Sequence, residues 1–133
     1  MIVLDTHAVV WATLQKRKLG RKTKALLDRW WVGGRVAISA MSFWEIALLL
    51  SRRRLALPAP LLEWRSQLLA AGLIELPVDG AIGIRARELS GLPDDPADRL
   101  IVATALNYGA ALVTADARLL AWKHLLERHD AGT

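Results

Sequence analysis

Four acidic residues mark four separate apolar stretches of the chain. Asp5 follows Ile2–Leu4, Glu45 follows Val36–Trp44, Asp98 lies inside Leu92–Ala105, and Asp116 follows Ala110–Ala115. Each stands where a strand or loop hands over to a helix. Carboxylates drawn together from such places repel, by roughly 1 kcal/mol in water and about 4 kcal/mol near a protein surface at about 4 Å. A hard divalent cation removes that repulsion, because it takes oxygen ligands. In a basic protein, such an ion points to phosphodiester chemistry, where it polarises a phosphoryl oxygen and activates water.

The elements that must position these acids are read from periodicity and turn residues. Residues 2–5 form a short buried strand, and 6–15 carry apolar residues at helical spacing. Residues 16–24 hold six basic side chains and no acid, broken by Gly20. A helix is predicted over 24–32, stopped by Gly33 and Gly34, then a β-rich strand over 36–39. A helix starts at Ser42 and ends on Arg52, Arg53 and Arg54, cations suited to a helix C-terminus. After Pro58 and Pro60 come a helix over 61–72, a strand over 73–78 and a weaker, glycine-bearing helix over 80–92. Asp95 and Pro96 open a strong helix that runs to about residue 109, with proline at its first position. A strand over 110–114 follows, then a helix from Asp116, and an edge strand over 124–128. This alternation of β and α predicts an α/β domain with a parallel sheet covered on both faces.

Ligands of such sheets sit beyond the carboxyl ends of the strands. If the strands run parallel, all four acids face one crevice. Each acid also has a purely structural use. Ser42 and Glu45 fit a capping box, Asp95 and Asp98 fit it less well, and Asp5 and Asp116 can each cap a helix. Chance capping does not require the four to converge on one edge.

The 133 residues, 53% of them hydrophobic, suit one domain with a single core spanning 1–133. No apolar run reaches the roughly 18 residues of a membrane span. Met1 leads straight into the first strand, which leaves no room for a leader peptide. Cysteine is absent, so disulfides and thiolate metal sites are excluded, and a reducing, cytoplasmic setting is the expectation. The formal charge of +5 suggests a polyanionic partner.

The motifs resemble the PIN domain, most closely the VapC-type toxins of toxin–antitoxin pairs. The resemblance rests on Leu4-Asp5-Thr6-His7-Ala8 with Trp11, on Ile38-Ser39-Ala40 through Ser42-Phe43-Trp44-Glu45-Ile46-Ala47, on Asp95-Pro96-Ala97-Asp98-Arg99-Leu100-Ile101, and on Leu112-Val113-Thr114-Ala115-Asp116. It implies a PIN-like α/β/α sandwich with a central, mainly parallel sheet of four to five short strands. It also implies a metal-dependent endoribonuclease, with Asp5, Glu45, Asp98 and Asp116 as the metal site and Thr114 beside it. Mg²⁺ is the implied metal, with Mn²⁺ able to substitute. The implied partners are an RNA substrate, transfer RNA being one option, a small antitoxin that covers the active site, and a second copy in a homodimer. Ala97 departs from the family pattern, where an aromatic is frequent, and the tail from Trp122 is only loosely similar.

The residues expected to support the site or touch substrate are Thr6, Thr114, Arg99, Lys16, Arg17 and Lys18. The basic group at 16–24 can bind an RNA backbone or form a solvated loop. Trp11, Trp44 and Trp64 fall on apolar helix faces and are expected in the core, whereas Trp30 and Trp31 cannot both face inward. The competing function is a catalytically silent PIN-like module that binds RNA or protein without cutting.

Overall fold

The computed structural model describes residues 1–133. Five strands, β1 (Ile2–Leu4), β2 (Val36–Ser39), β3 (Ile74–Leu76), β4 (Ala111–Thr114) and β5 (Arg128–Asp130), form one sheet. Their order is β3-β2-β1-β4-β5 and every pairing is parallel. The seven helices are α1 (Thr6–Thr13), α2 (Arg21–Val32), α3 (Ala40–Ser51), α4 (Leu61–Ala70), α5 (Gly80–Glu88), α6 (Pro96–Asn107) and α7 (Ala117–Leu120). The predicted α/β/α sandwich with a parallel central sheet is the observed fold.

The three central strands, β2, β1 and β4, are short and buried on both faces, as a sheet between helices requires, while the edge strands β3 and β5 are only partly buried. Alternation along them divides the core. Ile2, Leu4, Val36, Ile38 and Val113 pack on one side with Val9, Leu27, Ile46 and Trp64 from α1 to α4. Val3, Ala37 and Leu112 face the other way, against Ile101, Val102 and Ala105 of α6 and Leu119 of α7. Helix α6 is buried along most of its length because α5 covers its outer side through Ile82 and Ala86 against Ala103.

The chain order places the strand-order reversal at β1. The connections from β1 to β2 and β3 step one way, and β4 and β5 lie on the other side of β1. A crevice therefore opens at the carboxyl ends of β1 and β4, where parallel sheets bind their ligands.

Several elements depart from the expected bounds, each for a local reason. Helix α3 begins at Ala40, not at Ser42, because Ser39 closes β2 and caps the helix at once, its hydroxyl accepting the Met41 N–H at 3.1 Å. The capping box of Ser42 and Glu45 is therefore not formed, and Glu45 lies in the second turn. Helix α2 begins at Arg21, three residues earlier than expected. Its start is fixed by Gly20 and Lys22, whose N–H groups donate to the carbonyls of Ala131 and Thr133 at 2.9 and 2.8 Å. A Cβ on Gly20 would meet the Thr133 backbone at 2.0 Å, so this approach needs glycine. Strand β3 ends before Pro77, which has no N–H for a ladder. The final strand is Arg128–Asp130, displaced from 124–128, since residues His124 to Leu126 form a turn in which His124 Nδ1 accepts the Leu126 N–H at 3.0 Å.

Trp64 is buried and Trp11 packs on the core, but Trp44 is 56% exposed. Its expected core position is thus corrected. Ser42, Phe43 and Ile46 take the inward face of α3, leaving Trp44 at the outward angle. Trp30 and Trp31 are both partly buried, and the Trp31 indole donates to the Ala71 carbonyl at 2.6 Å.

Candidate active site

Asp5 leaves β1 and caps α1. Its carboxylate accepts the Thr6 N–H at 2.8 Å on one oxygen and the Thr114 hydroxyl at 2.7 Å on the other. Thr114 ends β4 and pairs in register beside the end of β1, which brings two residues 109 positions apart into contact. The Thr114 hydroxyl also accepts the Asp116 N–H at 3.0 Å. Asp5 is 2% exposed. Burial pushes its carboxyl above the usual range, and the Thr114 and Thr6 donors oppose that.

Glu45 reaches the same place from α3. Its Oε1 accepts the Thr6 hydroxyl at 2.5 Å, and Ser42 Oγ lies 3.1 Å from the same threonine oxygen. Burial raises the Glu45 carboxyl, with Asp5 and Asp95 adding repulsion. Thr6 thus links two of the acids, by its backbone to Asp5 and by its side chain to Glu45.

Asp98 sits at the third position of α6, with its own N–H held by the Asp95 cap at 3.1 Å. Its carboxyl is pushed up to about 7, first by desolvation and then by Asp5, Asp95, Asp116 and Glu45. Five carboxylates therefore share one field. Asp116 caps α7 and behaves oppositely. Arg118 donates to it from the backbone at 2.8 Å and from the guanidinium at 2.9 and 3.3 Å, which holds its carboxyl below the usual range. The same guanidinium reaches Asp98 at 3.4 Å.

All four predicted acids meet at this edge. Asp5 and Asp116 each combine the capping role with the shared site, so the two uses coexist. Thr6 and Thr114 support the acids directly. Arg99 does not reach the crevice. It is 8% exposed, and its guanidinium donates to the carbonyls of Pro93, Ala86, Leu89 and Leu92 at 2.8 to 3.0 Å. It ties the end of α5 to the loop that delivers Asp95 and Asp98. Lys16, Arg17 and Lys18 form one exposed 3₁₀ turn beyond the far end of α1. Eight residues of helix separate them from Asp5, about 12 Å. Lys16 lines a separate groove with Ala12, Leu27, Trp31 and Leu68.

Three participants were not anticipated from sequence: Ser42, Asp95 as a member of the acid field, and Arg118. The one available signal was that Arg118 follows a helix-capping acid by two residues, close enough to fold back on it. A crevice of about 580 Å³ adjoins the acids, lined by Trp44, Glu45, Arg52, Asp95, Ala97 and Arg118.

The donor set suits a hard divalent cation: carboxylates and hydroxyls, and no sulfur. As they stand, no three acidic or histidine side chains are drawn close enough to hold an ion between them. Mg²⁺ keeps several waters and needs only one or two direct carboxylates, so the set fits it through water.

A parallel α/β/α domain with acids gathered at the β1/β4 edge defines the class, and the chain belongs to the PIN-domain family, whose model matches residues 2–124. It is 33% identical over 124 residues to Ribonuclease VapC22 of Mycobacterium tuberculosis, covering 92% of each chain. Similar folds occur in the VapBC2 structure from Rickettsia felis bound to a promoter DNA fragment (TM-score 0.68, 19% identity, 98% of this chain and 100% of that one). The DNA-bound VapBC structure from Salmonella typhimurium is also similar (TM-score 0.69, 18% identity, 97% and 96% covered).

Proposed function

We propose that this protein is a metal-dependent endoribonuclease, the toxin of a toxin–antitoxin pair, that hydrolyses RNA phosphodiester bonds. The observation that carries this reading is the buried Asp5 carboxylate beside Asp98, whose pKa is pushed up to about 7 by burial first and then by its acidic neighbours. A divalent ion bound among these acids would relieve that mutual repulsion. Similarity to a protein named as a ribonuclease supports RNA as substrate. A structural neighbour named as a toxin–antitoxin complex, from Klebsiella pneumoniae, supports a small antitoxin as partner, and a homodimer and a cytoplasmic setting belong to the same reading.

Asp5 and Asp98 would hold Mg²⁺, or Mn²⁺ in its place, with Glu45 and Asp116 completing the shell. The ion supplies Lewis acidity toward the phosphate and lowers the pKa of water. The chain's own residues do the positioning. Thr114 and Thr6 fix both oxygens of Asp5, so its orientation is set before substrate arrives. Thr6 also aims Glu45 inward, where its carboxylate can accept a proton from the attacking water. Arg52 and Arg118 line the crevice and can meet phosphate oxygens.

The test is incubation of total RNA with purified, antitoxin-free protein in Mg²⁺, Mn²⁺ or EDTA, beside Asp5→Asn. Discrete metal-dependent fragments, lost in the variant, are expected. No cleavage by folded protein would favour the silent binding module instead.

A further inference from the structure

We propose that Arg118 is a built-in counter-cation that competes with the divalent ion for Asp98 and Asp116. This rests on the metal-site reading above. One guanidinium nitrogen, Nη2, lies 2.9 Å from Asp116 Oδ2 and 3.4 Å from Asp98 Oδ2. It bridges two acids that come from different helices. The Asp98 and Asp116 side chains are 13% and 19% exposed, while that of Arg118 is 57% exposed. The cation therefore closes the pair from the solvent side.

The four acids divide into two unlike pairs. Asp5 and Glu45 are held by neutral donors, Thr6 and Thr114, which orient them and leave their charge in place. Asp98 and Asp116 are held by a full positive charge that no accessible pH removes. An ion that takes either of these carboxylates must displace the guanidinium or share the acid with it, and like charges at such range repel. Ion entry and guanidinium release are thus coupled. The freed side chain still lines the crevice with Arg52, on the path of an incoming phosphodiester.

Arg118 is exposed and supports no core contact, so its replacement leaves the fold in place. Mn²⁺ affinity is measured by titration calorimetry on EDTA-stripped protein, and the thermal midpoint is read with and without Mn²⁺. Arg118→Met should bind Mn²⁺ on the order of tenfold more tightly than the parent, melt lower without the ion, and gain more from it. Arg118→Lys, which keeps the charge but loses the second guanidinium contact from Nε to Asp116, should fall between. Adding Asp5→Asn should abolish the gain. Equal or weaker Mn²⁺ binding in Arg118→Met overturns the competition and leaves the metal site standing. Tight binding that survives Asp5→Asn puts the ion elsewhere and also overturns it. If neither protein binds Mn²⁺, the metal reading itself falls, and the competition with it.

Discussion

Thr114 donates its hydroxyl to Asp5 at 2.7 Å while accepting the Asp116 N–H at 3.0 Å, so one side chain couples the acid at the end of β1 to the one that caps α7. The bond is buried and charge-assisted. Thr114→Val keeps the volume and removes the donor. The carboxylate is then left short of a partner in an apolar setting, at a cost of roughly 1–3 kcal/mol. Chemical denaturation should show that loss, and cleavage should slow, whereas Thr114→Ser should preserve both. Parent-like stability in Thr114→Val would mean that water replaces the hydroxyl without cost.

Asp5→Asn and Asp98→Asn test the proposed metal site. An asparagine oxygen can still accept the Thr6 N–H, so Asp5→Asn should remain folded. If Asp5 holds the ion as proposed, the variant should lose several kcal/mol of transition-state stabilisation, or at least about 10²-fold in rate. Asp98→Asn should behave alike. Circular dichroism confirms folding, and a fixed RNA substrate in Mg²⁺ reports the rate. Parent-level cleavage by either variant removes that residue from the site.

The pKa of Asp98 near 7 sets a stability profile. Its proton is held more tightly in the folded chain than in the unfolded one, where 3.8 is the ordinary value. The folded state therefore binds more protons between these limits, and stability falls as pH rises through them. The contribution is complete below about 3.8 and lost above about 7. Asp5 and Glu45, also raised, act in the same direction. Asp116, held low by Arg118, has the opposite sign and matters only at more acid pH. In EDTA, urea midpoints should drop from pH 5 to pH 8, and Asp98→Asn should flatten the drop. Mn²⁺ should stabilise more at pH 8 than at pH 5, because ligands must lose their protons to bind it. A profile that rises over this range in EDTA would refute the raised carboxyl.

What could be read from the sequence follows a physical divide. The strands at 2–4, 36–39 and 111–114 are short apolar runs, and their length and the turn or capping residues that bound them place them. The acids were legible because parallel strands deliver their carboxyl ends to one edge. Glu45 does lie at the acid edge, but not through the capping box that its spacing from Ser42 suggests. Ser39 ends a strand and caps a helix without any loop, and sequence offers no mark to choose it over Ser42. The final strand differs because Arg128–Asp130 carries no apolar run and its bounds are set by pairing with β4. Trp44 looked like core because its neighbours are apolar, but a helix face turns by about 100° per residue and only tertiary contacts say which way. Arg99 and Arg118 are indistinguishable by composition. One meets four carbonyls and the other meets two acids, and only the fold separates them.

Arg99 carries a structural prediction. Four main-chain carbonyls converge on its guanidinium, a planar fork that the point charge of lysine cannot reproduce. Arg99→Lys should lower stability by more than about 2 kcal/mol, since hydrogen bonds to charged groups contribute roughly 1.5–3 kcal/mol each. The loop before α6 should loosen, and cleavage should weaken because Asp95 and Asp98 enter from it. Hydrogen exchange across residues 86–98 measures that loosening. Unchanged protection there would show that the loop is held by other contacts.

Lys16, Arg17 and Lys18 stand exposed, separated from Asp5 by the length of α1. They are too remote to touch the reacting phosphate, and any role must come through other phosphates of the strand. Contacts of that kind release counterions, so the affinity depends on salt with a slope of about 0.7 per phosphate on a single strand. Replacing all three by Gln should therefore lower the slope of log affinity against log salt by up to about 2. It should raise KM and leave kcat near the parent value, because ground state and transition state lose the same contacts. Affinity is measured in the Asp5→Asn background, in which cleavage is expected to be lost. A slope that does not change would show that the turn is a solvated surface and that the RNA leaves the crevice by the Trp44 and Arg52 side instead.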